Sequence, residues 1–174
     1  MRHGYRTIGI VTALALVLGA GAVQAQPLLA GSWVLDRSQS QLPTWHGRGH
    51  DTQAAPQGTP PEIKLLVEQQ GNVLKATRVM ARGNTERSTS VTYVTDGTDQ
   101  AYQGHRGNSV TRAVFEGDRL VVTKTHTMQG QQGERTMSRE ALWTVSPDGK
   151  VLTIDTTFQS PRGTRTVKAV YLRG

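Results

Sequence analysis

The stretch MSREALWTV-SPDGK-VLTIDTTFQ-SPRG-TRTVKAVYL, residues 137–172, decides the fold. Three runs rich in β-branched and aromatic residues (137–145, 151–158 and 164–172) are separated by two short segments that each carry Pro and Gly (146–150 and 160–163). Pro presets the backbone angle of a turn, and Asp148-Gly149 tolerates the positive φ of a tight hairpin. Strand, turn, strand, turn, strand in this order is an antiparallel meander.

The same rhythm runs backwards from this stretch. Ile63, Leu65 and Val67 alternate with Lys64 and Glu68, as in a half-buried strand. Turn glycines fall near 71, 83, 97, 107, 117, 130, 149 and 163, mostly ten to fourteen residues apart. Short strands at near-regular spacing, with no helical periodicity, predict an all-β sandwich or barrel. About nine to ten strands would curl, split or close, and closure removes exposed edges. The expectation is an up-and-down meander closing into a barrel of about 8–10 strands, with a two-sheet β-sandwich as the alternative. Pairing of the first and last strands separates the two.

The amino terminus reads as an export signal. Arg2 and Arg6 precede an apolar run over residues 8–22, and Val23-Gln24-Ala25 offers small residues at a cleavage site. The run is shorter than the ~20 residues that span a bilayer. A cleaved signal over 1–25 and a single domain over 26–174 are expected, which places the protein in the periplasm or outside the cell. The chain has no Cys, which excludes a Cys-linked lipid anchor and disulfides. No later segment is apolar enough to be a transmembrane helix. Without 1–25 the chain carries 20 − 2 = 18 basic and 13 acidic residues, a net +5. The basic residues are scattered, so no nucleic-acid partner is expected. Oligomeric state is not encoded in any pattern of the sequence.

Residues 31–35 (Gly-Ser-Trp-Val-Leu) read as a short strand that ends in the turn-like Asp36-Arg37-Ser38. A long irregular loop follows, over 37–61, rich in Pro, Gly and Gln. It contains Trp45-His46-Gly47-Arg48-Gly49-His50-Asp51. His46 and His50 are weak candidates for a metal site, which His105 and His126 could join. The alternative is a polar loop with incidental His, or a lid over a barrel mouth with Trp45 touching a ligand. Arg135 and Arg139 share a strand face with Met137, Ala141 and Trp143. Either that face is external with a basic stripe, or Arg side chains point inward and favour an anionic ligand. Glu134 and Glu140 sit too far apart along one strand for a glycosidase pair. No catalytic constellation or cofactor motif is present. The reading is therefore a non-catalytic barrel for a small hydrophobic or anionic amphipathic ligand, or else an envelope interaction module with a filled interior.

Gly31-Ser32-Trp33 resembles the Gly-x-Trp that opens the first strand of lipocalins, and Val170-Tyr171-Leu172-Arg173 puts a basic residue at the end of the last. Together with Trp143-Thr144-x-Ser146-x-Asp148-Gly149-Lys150-x-Leu152-Thr153, the pattern is similar to small exported bacterial lipocalin-like (calycin-like) β-barrel proteins of unknown function. The resemblance implies that Arg173 packs over Trp33 and, with Gly31, plugs the barrel base. A guanidinium plane over an indole face supplies the attraction.

Overall fold

The structure, a computed structural model, describes residues 28–42, 60–105, 107–130 and 133–174. These form ten strands: β1 (Gly31–Gln41), β2 (Glu62–Gln70), β3 (Val73–Arg82), β4 (Thr85–Val94), β5 (Asp96–Gly104), β6 (Gly107–Glu116), β7 (Arg119–Gly130), β8 (Gly133–Val145), β9 (Val151–Ser160) and β10 (Gly163–Arg173). All join one antiparallel sheet in the order β4-β3-β2-β1-β10-β9-β8-β7-β6-β5. β1 pairs with β10, so the first and last strands meet, as a barrel requires and a sandwich does not. The ring is nearly closed. Its seam lies between the consecutive strands β4 and β5, which are neighbours in sequence but the two ends of the sheet order.

Turn chemistry fixes the register of the closing hairpins. At the β8–β9 turn, the Gly149 amide donates to the Ser146 carbonyl at 2.8 Å, and the Ser146 amide donates to Val151 at 2.8 Å. Asp148 accepts from the Ser146 hydroxyl and from the Lys150 amide. These bonds favour the carboxylate and hold its pKa below the usual Asp value, with the Ser146 bond as the main cause.

β1 differs from the sequence expectation. It continues through Gln41 instead of ending at Leu35, so residues 37–41 belong to a strand and not to the loop. The Asp36 carboxylate accepts from the Ser38 amide at 2.8 Å and the Ser38 hydroxyl at 2.6 Å. That local bonding is what made the triplet look like a turn. Here it builds an irregularity in the β1–β10 ladder between Asp36 and Gln41, bridged by Ser40, whose hydroxyl oxygen accepts from the Val170 amide.

Facing pairs place one apolar set inside the ring. Trp33 lies opposite Leu65, Leu74 opposite Tyr93, Ala113 opposite Val122, Leu120 opposite Trp143, and Leu152 opposite Tyr171. All ten are buried. Most cluster at the end that carries the β2–β3, β6–β7 and β8–β9 turns. Tyr93 meets Trp143 edge to face across the interior, with centroids 6.3 Å apart.

Candidate functional site

The two ends of the ring are chemically unlike. At one end Trp33 is fully buried, and its indole N–H donates to the Leu29 carbonyl at 2.9 Å. The Arg173 guanidinium lies over the indole, 4.2 Å from the ring centroid. Its Nε donates to the Gly149 carbonyl at 2.6 Å and its Nη1 to Ala30 at 3.2 Å. Gly31 sits beneath it at φ +142°, and a Cβ there would stand 2.6 Å from Arg173 Nη1. Both the backbone angle and the approach of the guanidinium demand glycine. The structure thus brings Gly31, Trp33 and Arg173 together.

Towards the other end the inward positions become wet. Val91, Tyr102 and Met137 occupy the inward face yet are exposed, Tyr102 at 69%. The face shared by Arg135, Arg139, Ala141 and Trp143 is the inward one, because Ala141 and Trp143 are buried in the core. Arg139 is half-buried, and Arg135 is exposed nearer the open end. The Tyr93 hydroxyl, on β4 across the ring, feels the Arg139 charge. Burial pushes the Tyr93 pKa up, and the Arg139 charge and hydrogen bond oppose that rise. The Arg139 Nε is itself buried, with no acceptor among the described residues.

Residues that the sequence reading did not single out complete this region. Strand alternation puts Arg78 and Arg82 of β3, Arg87 of β4, Lys124 of β7 and Arg165 of β10 on the inward face with Arg135 and Arg139. The Tyr171 pKa is raised by burial and pulled the other way by the Arg78 charge. Arg165 stacks over Phe158 at 5.2 Å. One transverse row reads Thr111, Lys124, Arg139, Phe158, Arg165 across five strands.

The acidic residues follow the opposite rule. Among the described residues, every Asp and Glu within a strand lies on the outward face, as judged from the register of its neighbours. The ion pairs Lys64–Glu62, Lys75–Glu68 and Arg119–Glu116 are all on that outer face. Glu134 and Glu140 are also outward, on β8. The remaining described acids, Asp118 and Asp148, sit in turns at the plugged end. Among the described residues, the inward face of the strands therefore carries cations and no carboxylate.

Trp45, His46 and His50 lie outside the described residues. His105 is at the β5–β6 turn, where it lines a hollow of about 440 Å³ with Tyr102, Gln103, Gly104 and Asn108. His126 faces inward on β7, opposite Met137. Among the described residues no group of three or more His, Asp or Glu is placed to hold a metal ion. A second hollow, of about 250 Å³, is lined chiefly by outward side chains of β7, β8 and β9, among them Thr123, Ser138, Glu140 and Gln159. Among the described residues no helix is long and apolar enough to cross a membrane.

No protein-family model matches the chain, and no curated protein matches it in sequence. Several solved structures are similar in fold. The REP1-NXSQ fatty acid transporter is 13% identical, with 84% of this chain and 96% of that one covered and a TM-score of 0.46. Secretory abundant heat soluble protein 4 from Ramazzottius varieornatus is 13% identical, with 83% and 94% covered and a TM-score of 0.49. Human cRBP IV is 15% identical, with 84% and 98% covered and a TM-score of 0.44.

Proposed function

We propose that the protein is an exported, non-catalytic binding barrel whose open half takes a small amphipathic anion. One observation carries this reading: among the described residues the inward face is apolar and filled at one end, and at the other it carries cations while the strands' carboxylates all point outward. Lys124 and Arg139 stand directly opposite each other on neighbouring strands, an arrangement that disfavours the empty fold. Such a cost is expected where an anion is to be received. Val91, Met137 and Phe158 give apolar contact beside the charges, which suits a ligand with both characters. The alternative of a module with a filled interior fits the plugged half but leaves the wet inward positions of β4, β5 and β8 without a role.

The test is titration of the full-length protein with 8-anilinonaphthalene-1-sulfonate, an amphipathic anion that fluoresces on leaving water. Saturable binding is expected, weakened by Arg139→Gln with the fold intact by circular dichroism. Absence of saturable binding in the wild type removes the reading. The intact mass of the secreted product reads the export proposal in the same preparation, with the mature chain expected to begin at Gln26.

A further inference from the structure

Resting on the binding-barrel reading, we infer that the ligand's head is multiply charged: a phosphorylated amphipath, not a monocarboxylate. The argument is one of charge balance inside the ring. Arg78, Arg82, Arg87, Lys124, Arg139 and Arg165 line the inward face, and the described strands add no inward carboxylate. The β1–β2 connection cannot redress this from its own composition. Residues 42–61 contain one acid, Asp51, against one Arg, Arg48. A single carboxylate would neutralise one of these charges and leave the rest repelling one another. A phosphate monoester carries about −1.5 to −2 near neutral pH and offers three acceptor oxygens.

The geometry matches such a head. Lys124, Arg139 and Arg165 share one transverse row, with Phe158 between the two Arg. A tetrahedral head can accept from donors on several strands at once, and Arg meets phosphate with paired N–H groups. Among the described residues the buried Arg139 Nε has no acceptor. Tyr93 and Tyr171, beside Arg139 and Arg78, present hydroxyls at the boundary between the cations and the apolar floor. Because Lys124 and Arg139 are half-buried inside the ring, a flat bilayer or a duplex cannot lie against them. A molecule that enters can. The apolar side chains among the cations, Met80, Met137 and Phe158, assign the tail to the same ligand.

The experiment compares three probes by calorimetry on the full chain: a saturated lysophosphatidate, the fatty acid of the same tail length, and inorganic pyrophosphate. The lysophosphatidate should bind at least about tenfold more tightly than either. Its margin over the fatty acid should shrink as salt is raised, and with Lys124→Gln plus Arg139→Gln. Equal affinity for fatty acid and lysophosphatidate overturns the inference and leaves the binding-barrel reading standing. Equal affinity for pyrophosphate and lysophosphatidate overturns the assignment of a tail. Binding of none of the three overturns the inference together with the reading beneath it.

Discussion

The plugged end and the open end of this barrel are built from the same ten strands and obey opposite rules. At the plugged end, most inward side chains are apolar and the plug's polar groups are bonded: the Trp33 indole bonds Leu29, and Arg173 bonds three backbone carbonyls while covering the ring. At the open end, inward side chains are charged or wet, and like charges face each other across the ladder. Burial stabilises the first region, whereas the second spends some stability in keeping cations together. The difference shows that one meander can separate the part that folds from the part that receives a ligand, strand by strand along its length.

The comparison is broken most directly at Trp33. Trp33→Ala removes a fully buried indole and leaves Arg173 without its ring, so a loss of about 3–5 kcal/mol is expected. Met137→Ala removes an inward side chain of the open end that is 38% exposed, and should cost less than about 1 kcal/mol. Urea unfolding of both variants measures the contrast. Comparable losses would show that the two ends are equally packed.

The boundary between the ends can be probed by pH. Tyr93 and Tyr171 have raised pKa values in the folded chain, burial being the main cause for each. A raised folded pKa in an acid means that the folded state holds the proton more tightly than the unfolded one. The contribution is complete below the ordinary Tyr value of about 10 and is lost as pH climbs from there through the folded value. Stability should therefore fall on the alkaline side, and Tyr93→Phe with Tyr171→Phe should flatten that fall. An unchanged alkaline slope in the double variant would place both hydroxyls in water, outside the floor.

Legibility in the sequence divided along the same line. The closing hairpins were readable because turn chemistry and apolar alternation coincide there, as in Ser146-Pro147-Asp148-Gly149 flanked by Trp143 and Leu152. The upper halves of β4 and β5 were not, since residues such as Thr85, Glu86 and Ser88 meet water on both faces and carry no alternation. Asp36 misled because its short-range bonds are the same in a turn and in an irregular strand. The cations of the lumen looked scattered because they are spread over five strands. Their signal is parity: Arg139 stands two residues from buried Ala141, and Lys124 two from Val122, while Glu140 and Glu116 stand one residue from their strands' buried positions or in their outward register. A count of basic runs cannot detect charges placed at every second position on separate strands.

The smallest expected effect is the sharpest in sign. Arg87 is exposed on the inward face of β4, opposite Met80, and shares the β3–β4 hairpin with the inward Arg78 and Arg82. Replacing it with Gln removes one of a set of like charges and takes no packed atom from the core. At low ionic strength Arg87→Gln should stabilise the protein by up to about 0.5 kcal/mol, a gain that fades as salt screens the remaining cations. Lys75 on the outer face of β3 provides the opposite case, since it pairs with Glu68 at 3.0 Å. Lys75→Gln should be neutral or destabilising by less than about 1 kcal/mol, because both partners are largely exposed. Urea unfolding at low and high salt reads the two signs. A loss of stability in Arg87→Gln at low salt would mean that the inward cations are already balanced within the fold, and the open end would then resemble the plugged one in having its charges satisfied.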